Sequence, residues 1–129
     1  MNELDNEPID KTSFAFNDLR GRDGWQTFTV TYSFATATSL TVIGRCKFVG
    51  RMCFWQVQSS GTSIATTAGA SYIDLPIPAK GFGGVTQMFN DTANTGVAGG
   101  GISVSDSRYY PPTQAASADT FTFSGWYEI

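Results

Sequence analysis

The residues that could perform catalysis are few and scattered along this chain. It contains no histidine, so the commonest general base and metal ligand is missing. Without histidine, its two cysteines form neither a thiol–imidazole pair nor an ordinary zinc site. The carboxylates beyond residue 24 occur singly: Asp74, Asp91, Asp106, Asp119 and Glu128. We therefore predict a protein that is not an enzyme and holds no cofactor or metal. The enzymatic alternative is a glycoside hydrolase, in which the fold would bring two of these carboxylates together.

The remaining candidates for a binding site are aromatic. Tyr109 and Tyr110 precede Pro111, and a proline keeps the residue before it extended, so a tyrosine ring there could lie flat against a sugar. Trp126 follows Gly125 in the last predicted strand, where a bulge would redirect its side chain. We predict ligand binding by these three rings. The alternative for each is a place in the core or in a subunit interface.

An oxygen-rich segment, Asn90–Asn94, adds two polar candidates. Asn90 and Asp91 carry side-chain oxygens that suit a polar ligand. Calcium would ordinarily require more than the single carboxylate found in this segment. We include Asn90 and Asp91 among the predicted ligand-binding residues and predict no metal there.

The elements that must position these residues alternate with a period of two, which is typical of β-strands. Such patterns cover Trp25–Tyr32, Ser39–Val42, Arg45–Phe48, Arg51–Gln58, Tyr72–Leu75, Val85–Asn90, Ile102–Ser107 and Thr120–Ile129. Loops rich in small polar residues, glycine or proline are predicted at 59–70, 76–84, 91–101 and 111–118. About seven or eight short strands and no capped helical pattern predict an all-β fold, an antiparallel sandwich or jelly roll.

The segment Cys46–Cys53 is predicted to be a tight hairpin. A two-residue loop of Val49 and Gly50 would place the cysteines opposite each other, but a β-branched valine resists the positive φ required there. A three-residue loop with Gly50 as a bulge avoids this cost. We favour this second register, in which Lys47 pairs with Arg51 and the two cysteines point to opposite faces. We therefore predict free, buried thiols.

The charges divide the chain into two parts. Residues 1–24 contain six acidic and three basic residues, whereas residues 25–129 contain five of each. The first part lacks strand alternation and carries three apolar anchors, Phe14, Phe16 and Leu19. We predict an acidic arm that orders on a partner, followed by one β-domain over residues 25–129. The alternative is a solvated terminus without a partner.

The composition argues against two classes of partner. Only 15% of the residues are charged, the net charge is −3, and no basic cluster is present, which excludes an ordinary nucleic-acid interface. No apolar run approaches the roughly 20 residues that span a bilayer, so we predict no membrane insertion. The acidic N-terminus lacks the pattern of a secretory signal, and synthesis in the cytoplasm is expected.

The order of several motifs resembles the tip domains of bacteriophage tail fibres and other virion appendages. The hairpin Arg45–Trp55 is similar to their "tyrosine–x–lysine–x–glycine–lysine–x–valine" hairpin, although Cys46 stands where the family has an aromatic residue. Residues 73–79, Ile-Asp-Leu-Pro-Ile-Pro-Ala, resemble the "leucine–proline–x–proline–alanine" strand end that follows. Ser124–Tyr127 resembles the closing "glycine–tyrosine". The resemblance covers about residues 25–129.

This resemblance implies a homotrimeric β-sandwich, displayed on the phage particle and touching polysaccharide of the host surface, with no catalytic residues. Tail fibres are long, whereas this chain has only the short arm. We therefore expect a small virion protein that attaches through residues 1–24 to another tail or capsid protein. A capsid decoration or head-fibre protein that reinforces the shell is one alternative, and a free carbohydrate-binding lectin is another.

Overall fold

A computed structural model describes residues 24–81 and 84–129 of the chain. These residues form thirteen β-strands and no helix, and every strand pair is antiparallel. The strands are β1 (Gln26–Phe28), β2 (Tyr32–Ser33), β3 (Thr36–Thr38), β4 (Thr41–Val49), β5 (Met52–Ser60), β6 (Ser63–Thr66), β7 (Tyr72–Asp74), β8 (Thr86–Asn90), β9 (Thr95–Ala98), β10 (Gly101–Ser103), β11 (Arg108–Tyr110), β12 (Gln114–Ser117) and β13 (Phe121–Glu128). The all-β prediction is confirmed.

The strands are arranged in three sheets that form a β-sandwich-like fold. A six-stranded sheet has the order β1-β4-β5-β13-β8-β9 and contains the three longest strands. A four-stranded sheet has the order β10-β11-β7-β2, and a three-stranded sheet has the order β12-β6-β3. The C-terminal strand β13 lies between β5 and β8, so residues 121–125 are paired on both sides.

The predicted count of seven or eight strands is wrong because several strands lie in segments predicted to be loops. These strands are β6, β9 and β12, whose small polar residues give no clear alternation. Their strand conformation comes from partners, since β6 pairs with both β3 and β12. The predicted strand Trp25–Tyr32 is in fact two strands, because β1 pairs with β4 and β2 pairs with β7 of another sheet.

The β4–β5 hairpin adopts neither of the two registers considered from the sequence. Val49 pairs with Met52, so the loop consists of Gly50 and Arg51. Gly50 has a φ of 58°, and Arg51 is not among the residues with positive φ, as a type II′ turn requires. The turn thus uses the glycine for the left-handed position and leaves the valine in the strand.

This register also corrects the prediction that the cysteines face opposite sides. Cys46 pairs with Trp55, and Phe48 pairs with Cys53, so both thiols point to the same face of the sheet. Cys46 is 3% exposed and Cys53 is fully buried, and both are free. The prediction of buried, unbridged thiols is therefore confirmed. The hydrogen bond with Cys46, together with burial, raises the pKa of the Cys53 thiol.

Aromatic side chains hold the two layers together. Tyr109, on the four-stranded sheet, packs between two rings of the six-stranded sheet, with ring centroids 5.0 Å from Trp55 and 5.9 Å from Phe123. All three side chains are at most 1% exposed. Tilted aromatic pairs of this kind add about 0.5–1.5 kcal/mol each beyond the area that they bury. The alternation of Phe121 and Phe123, predicted from the sequence, directs both rings into this core.

One buried tyrosine also ties a proline-flanked segment to the sheet. The hydroxyl of Tyr127 donates to the carbonyl of Ile77 at 2.7 Å and accepts from the amide of Ile77 at 3.2 Å. Burial raises the pKa of Tyr127, so this hydroxyl stays protonated. Ile77 lies between Pro76 and Pro78 in a segment without regular strand pairing, and the tyrosine satisfies both of its backbone groups.

We expect Tyr127→Phe to lower the free energy of unfolding by about 1–2 kcal/mol, because both backbone groups of Ile77 lose their partner. The measurement is urea denaturation followed by tryptophan fluorescence. Tyr110→Phe is the matched control: its hydroxyl donates to Asp106 in an exposed position, and the expected change is within about 0.5 kcal/mol. Equal losses in the two variants would contradict the assigned role of Tyr127.

We expect both cysteines to be unreactive toward a thiol reagent such as dithionitrobenzoate in the folded protein, because neither side chain is accessible. After unfolding in guanidinium without reductant, two thiols per chain should react. The unfolded Cys53→Ala variant should then give half the absorbance change of the unfolded wild type. An unfolded wild-type chain without reactive thiols would show a Cys46–Cys53 disulfide and contradict the prediction.

Candidate functional site

The structure corrects one of the predicted ligand-binding residues. Tyr109 is fully buried, and its hydroxyl donates to the carbonyl of Gly99 at 3.0 Å. Burial raises the pKa of this hydroxyl. The ring contacts Trp55 and Phe123 and has no exposed face, so Tyr109 is a core residue. The alternative stated from the sequence, a place in the core, is the correct one for this ring.

Tyr110 points to the opposite side of β11 and belongs to a charged cluster on the four-stranded sheet. Its hydroxyl donates to Asp106 at 2.8 Å, and its ring centroid lies 6.4 Å from that of Tyr72. The guanidinium of Arg108 lies 3.8 Å from the Tyr72 ring and donates through Nε to Asp74 at 2.9 Å. Both carboxylates of this cluster thus accept a hydrogen bond from a residue within the cluster.

The same cluster bears on the glycoside hydrolase alternative, because it places the acids Asp74 and Asp106 beside one cation. Hydrogen bonds from Ser103 and Tyr110 lower the pKa of Asp106. The hydrogen bond with Asp74 raises the pKa of Arg108. A glycosidase needs one carboxyl group with a raised pKa to protonate the leaving oxygen. The environment of Asp106 shifts its pKa in the other direction.

The side chains of the predicted polar candidates Asn90 and Asp91 both have hydrogen-bond partners within the described residues. The side chain of Asn90 is buried, donates to Asp119 at 2.8 Å and accepts from the amide of Ala93 at 2.9 Å. Asp91 is exposed and accepts hydrogen bonds from Gln58 and Thr122. Among residues 24–81 and 84–129, no group of three His, Cys, Asp or Glu side chains could hold a metal ion. Asn90 is therefore a structural residue, and Asp91 lies at the edge of a larger surface.

That surface is the side of the six-stranded sheet that points away from the core, called the outer face below. Trp126 lies on this outer face, because side chains alternate along a strand and the next residue, Tyr127, is buried in the core. The face consists of cross-strand rows, each set by the register of the sheet. The middle row is polar: Thr27, Arg45, Gln56, Ser124 and Gln87.

Aromatic side chains lie on both sides of the polar row. On one side, a second cross-strand row consists of Lys47, Phe54 and Trp126. On the other side Gln58 and Thr122 lead to Phe89. The three rings are half-buried, so part of each remains open to solvent.

Arg45 is held in place within the polar row by its neighbours. Its guanidinium carbon lies 4.6 Å from the centroid of the Trp25 ring, and its Nε donates to Oε1 of Gln56 at 2.8 Å. A cation–π contact at an exposed position contributes about 0.5–1 kcal/mol. The two contacts orient the guanidinium plane before any ligand arrives.

The face includes a shallow, open depression of about 380 Å³, lined by Ile43, Arg45, Gln56, Gln58 and Thr122. Planar amides and a guanidinium supply directed hydrogen bonds, and the neighbouring rings supply flat apolar surface. This combination suits an extended ligand that has both hydroxyl groups and apolar ring faces. From β1 to β13 the face spans three strand spacings, roughly 14 Å, which is the length of a short oligosaccharide.

Of the residues on this face, Trp126 was predicted from the sequence, whereas Trp25, Phe54, Arg45 and Gln56 were not. A signal for Phe54 and Gln56 was present, since they alternate with Cys53, Trp55 and Val57 in the predicted strand Arg51–Gln58. Trp25 and Arg45 had no such signal, because their contact depends on the pairing of β1 with β4.

Comparisons with protein-family models, curated proteins and solved structures give no match for this chain. No helix that could cross a bilayer occurs in the part of the chain that the structure describes. The predicted arm residues Phe14, Phe16 and Leu19 lie outside the described residues.

Proposed function

We propose that this protein is a non-catalytic virion component that binds polysaccharide of the host surface on the outer face of its six-stranded sheet. The observation that carries the proposal is the composition of that face: half-buried rings at Phe54, Phe89 and Trp126 on either side of a row of amides and Arg45. The same face carries a guanidinium, that of Arg45, whose plane is fixed by the Trp25 ring and the Gln56 amide.

The chemistry of sugars explains why such a face suits them. A pyranose ring has an apolar face of C–H groups that packs on an aromatic ring, and a rim of hydroxyls that both donate and accept hydrogen bonds. Gln56 and Gln58 offer amide groups that do both, and Arg45 donates. An open, shallow surface accepts a chain that continues beyond the site at both ends, as a surface polysaccharide does.

Display of several copies supports useful adsorption even when each site is weak. A millimolar site contributes about −4 kcal/mol, and joining several sites raises avidity by roughly two to four orders of magnitude. The proposed homotrimer supplies three outer faces. Trimer formation would also cover sheet edges, such as β1 and β9 of the six-stranded sheet, that have a neighbour on one side only among the residues that the structure describes.

The virion assignment rests on the resemblance of residues 25–129 to phage appendage domains and on the charge division of the chain. The acidic arm, residues 1–24, with anchors Phe14, Phe16 and Leu19, would join the domain to another tail or capsid protein. A free lectin would need no such arm.

A second candidate function, shell reinforcement as a capsid decoration or head-fibre protein, is favoured by the aliphatic side chains on the same side of the sheet. Ile43, Val49 and Val85 are 59%, 50% and 63% exposed. Ile43 and Val49 lie near the two ends of β4 on the outer face, so they add exposed aliphatic surface that a protein partner could cover. In that case the outer face would pack on the shell.

We expect Trp126→Ala to weaken binding of the host polysaccharide by roughly 30-fold, because an aromatic side chain that the ligand covers typically contributes about 2 kcal/mol to the binding free energy. The measurement is affinity electrophoresis or calorimetry with purified surface polysaccharide. Tyr110→Ala, which alters the other sheet, is the matched control and should bind as the wild type does. Loss of binding in Tyr110→Ala with retention in Trp126→Ala would move the site to the four-stranded sheet.

We expect the triple variant Phe14→Ser, Phe16→Ser, Leu19→Ser to be absent from phage particles, because the arm loses its apolar anchors. Immunogold labelling of intact particles measures incorporation and locates the wild-type protein. The purified variant should still bind polysaccharide. Particles that lack the protein but adsorb normally would favour the shell-reinforcing function, and a wild-type protein that is absent from particles would favour the free lectin.

A further inference from the structure

The charges of the described domain are segregated, although they sum to zero. Its five cations and five carboxylates fall into two groups. Arg45 and Lys47 are successive outward positions on β4, and Arg51 lies in the adjoining turn. Lys80 is bonded through its backbone amide to the carbonyl of Glu128, the neighbour of Met52 in the sheet.

Four cations and one carboxylate, Glu128, therefore lie on or beside the part of the six-stranded sheet that runs from its middle row to the β4–β5 turn, and their charges sum to +3. Two of the other four carboxylates, Asp91 and Asp119, lie toward the opposite end of this sheet, where Asp91 accepts hydrogen bonds from Gln58 and Thr122 of the outer face. The last two, Asp74 and Asp106, accompany the remaining cation, Arg108. Among the described residues, no carboxylate lies within ion-pair distance of Arg45, Lys47, Arg51 or Lys80.

Arg45 is the best prepared of these cations. The Trp25 ring lies against the face of its guanidinium, and the Gln56 amide accepts a hydrogen bond from its Nε, so the plane of the group is fixed. Its two terminal nitrogens have no hydrogen-bond partner among residues 24–81 and 84–129. Two parallel N–H groups on a fixed plane match the two oxygens of a carboxylate. A neutral sugar would use only single hydrogen bonds at the same place.

We propose that the outer face selects an acidic polysaccharide, with the terminal nitrogens of Arg45 pairing with the carboxylate of a uronic acid while Phe54 and Trp126 support the neighbouring sugar. The inference rests on the proposed function and names its ligand class. Lys47, the next outward residue on the same strand, adds a second positive charge, but its ammonium group does not require a particular orientation of the carboxylate.

The N-terminal residues 1–24 are themselves acidic and are the competing occupant of this patch. The described chain begins at Gly24, whose backbone lies against the side chain of Lys47. We favour the polysaccharide because the fixed guanidinium lies within a surface of amides and rings, which an acidic peptide segment would not require.

The test uses the full chain and pairs of matched polymers: polymannuronate, polygalacturonate and hyaluronan, each beside its carboxyl-reduced form, in which the carboxylate has become a primary alcohol. We expect at least one acidic polymer to bind about tenfold more tightly than its reduced form, as a charge-assisted pair implies. This ratio should fall as salt is raised from 0.05 to about 0.5 M, because screening weakens the ion pair.

Arg45→Gln should bring the ratio close to one, whereas Arg108→Gln, which removes the cation of the other sheet, should leave it unchanged. Circular dichroism checks that Arg45→Gln is folded. The salt dependence of the wild type tests the ion pair without any variant. Equal binding to acidic and reduced forms would overturn the inference and leave the proposed function intact. Binding to neither form of any pair would contradict both.

A further full-chain variant replaces the acidic residues of the arm by amides: Glu3, Asp5, Glu7, Asp10, Asp18 and Asp23. If acidic polymers bind this variant only, the arm is the occupant of the patch in the wild type, and the inference is overturned. Equal ratios in this variant and the wild type support it.

Discussion

The contact of Tyr109 with Trp55 and Phe123 is the interaction on which the rest of the structure depends. These rings join the four-stranded sheet to the centre of the six-stranded sheet, where β13 lies between β5 and β8. A chain with so few charges and no disulfide among its described residues must obtain its stability from buried apolar surface. The aromatic contact supplies that surface, and it fixes which side of each strand points inward.

Once the inward side is fixed, the outer face is fixed as well. Strand β13 directs Phe121, Phe123 and Tyr127 into the core, so Trp126 must lie outside. Strand β5 buries Trp55 and thereby exposes Gln56 on the other side. The site and the core are two sides of the same strands, which makes the position of each outward side chain as well defined as the packing beneath it.

A rigid sheet is a suitable base for a ligand that is itself long and repetitive. Groups carried on paired strands keep their spacing without the ordering cost that a loop would incur on binding. The charges of the neutral domain are separated along this sheet: the cations lie toward the β4–β5 turn, and Asp91 and Asp119 lie toward the opposite end. The neutral total in the sequence therefore conceals a local field that only the fold creates.

Much of this protein followed from the sequence alone: the all-β class, the antiparallel pairing, the burial of Phe121 and Phe123, and the free thiols. These are consequences of alternation and composition, which act over a few neighbouring residues. The structure alone decided the turn at Gly50 and Arg51, the three short strands within predicted loops, the burial of Tyr109, and the meeting of Trp25 with Arg45. Each of these depends on a partner strand distant in sequence, and a local pattern carries no information about which strand that will be.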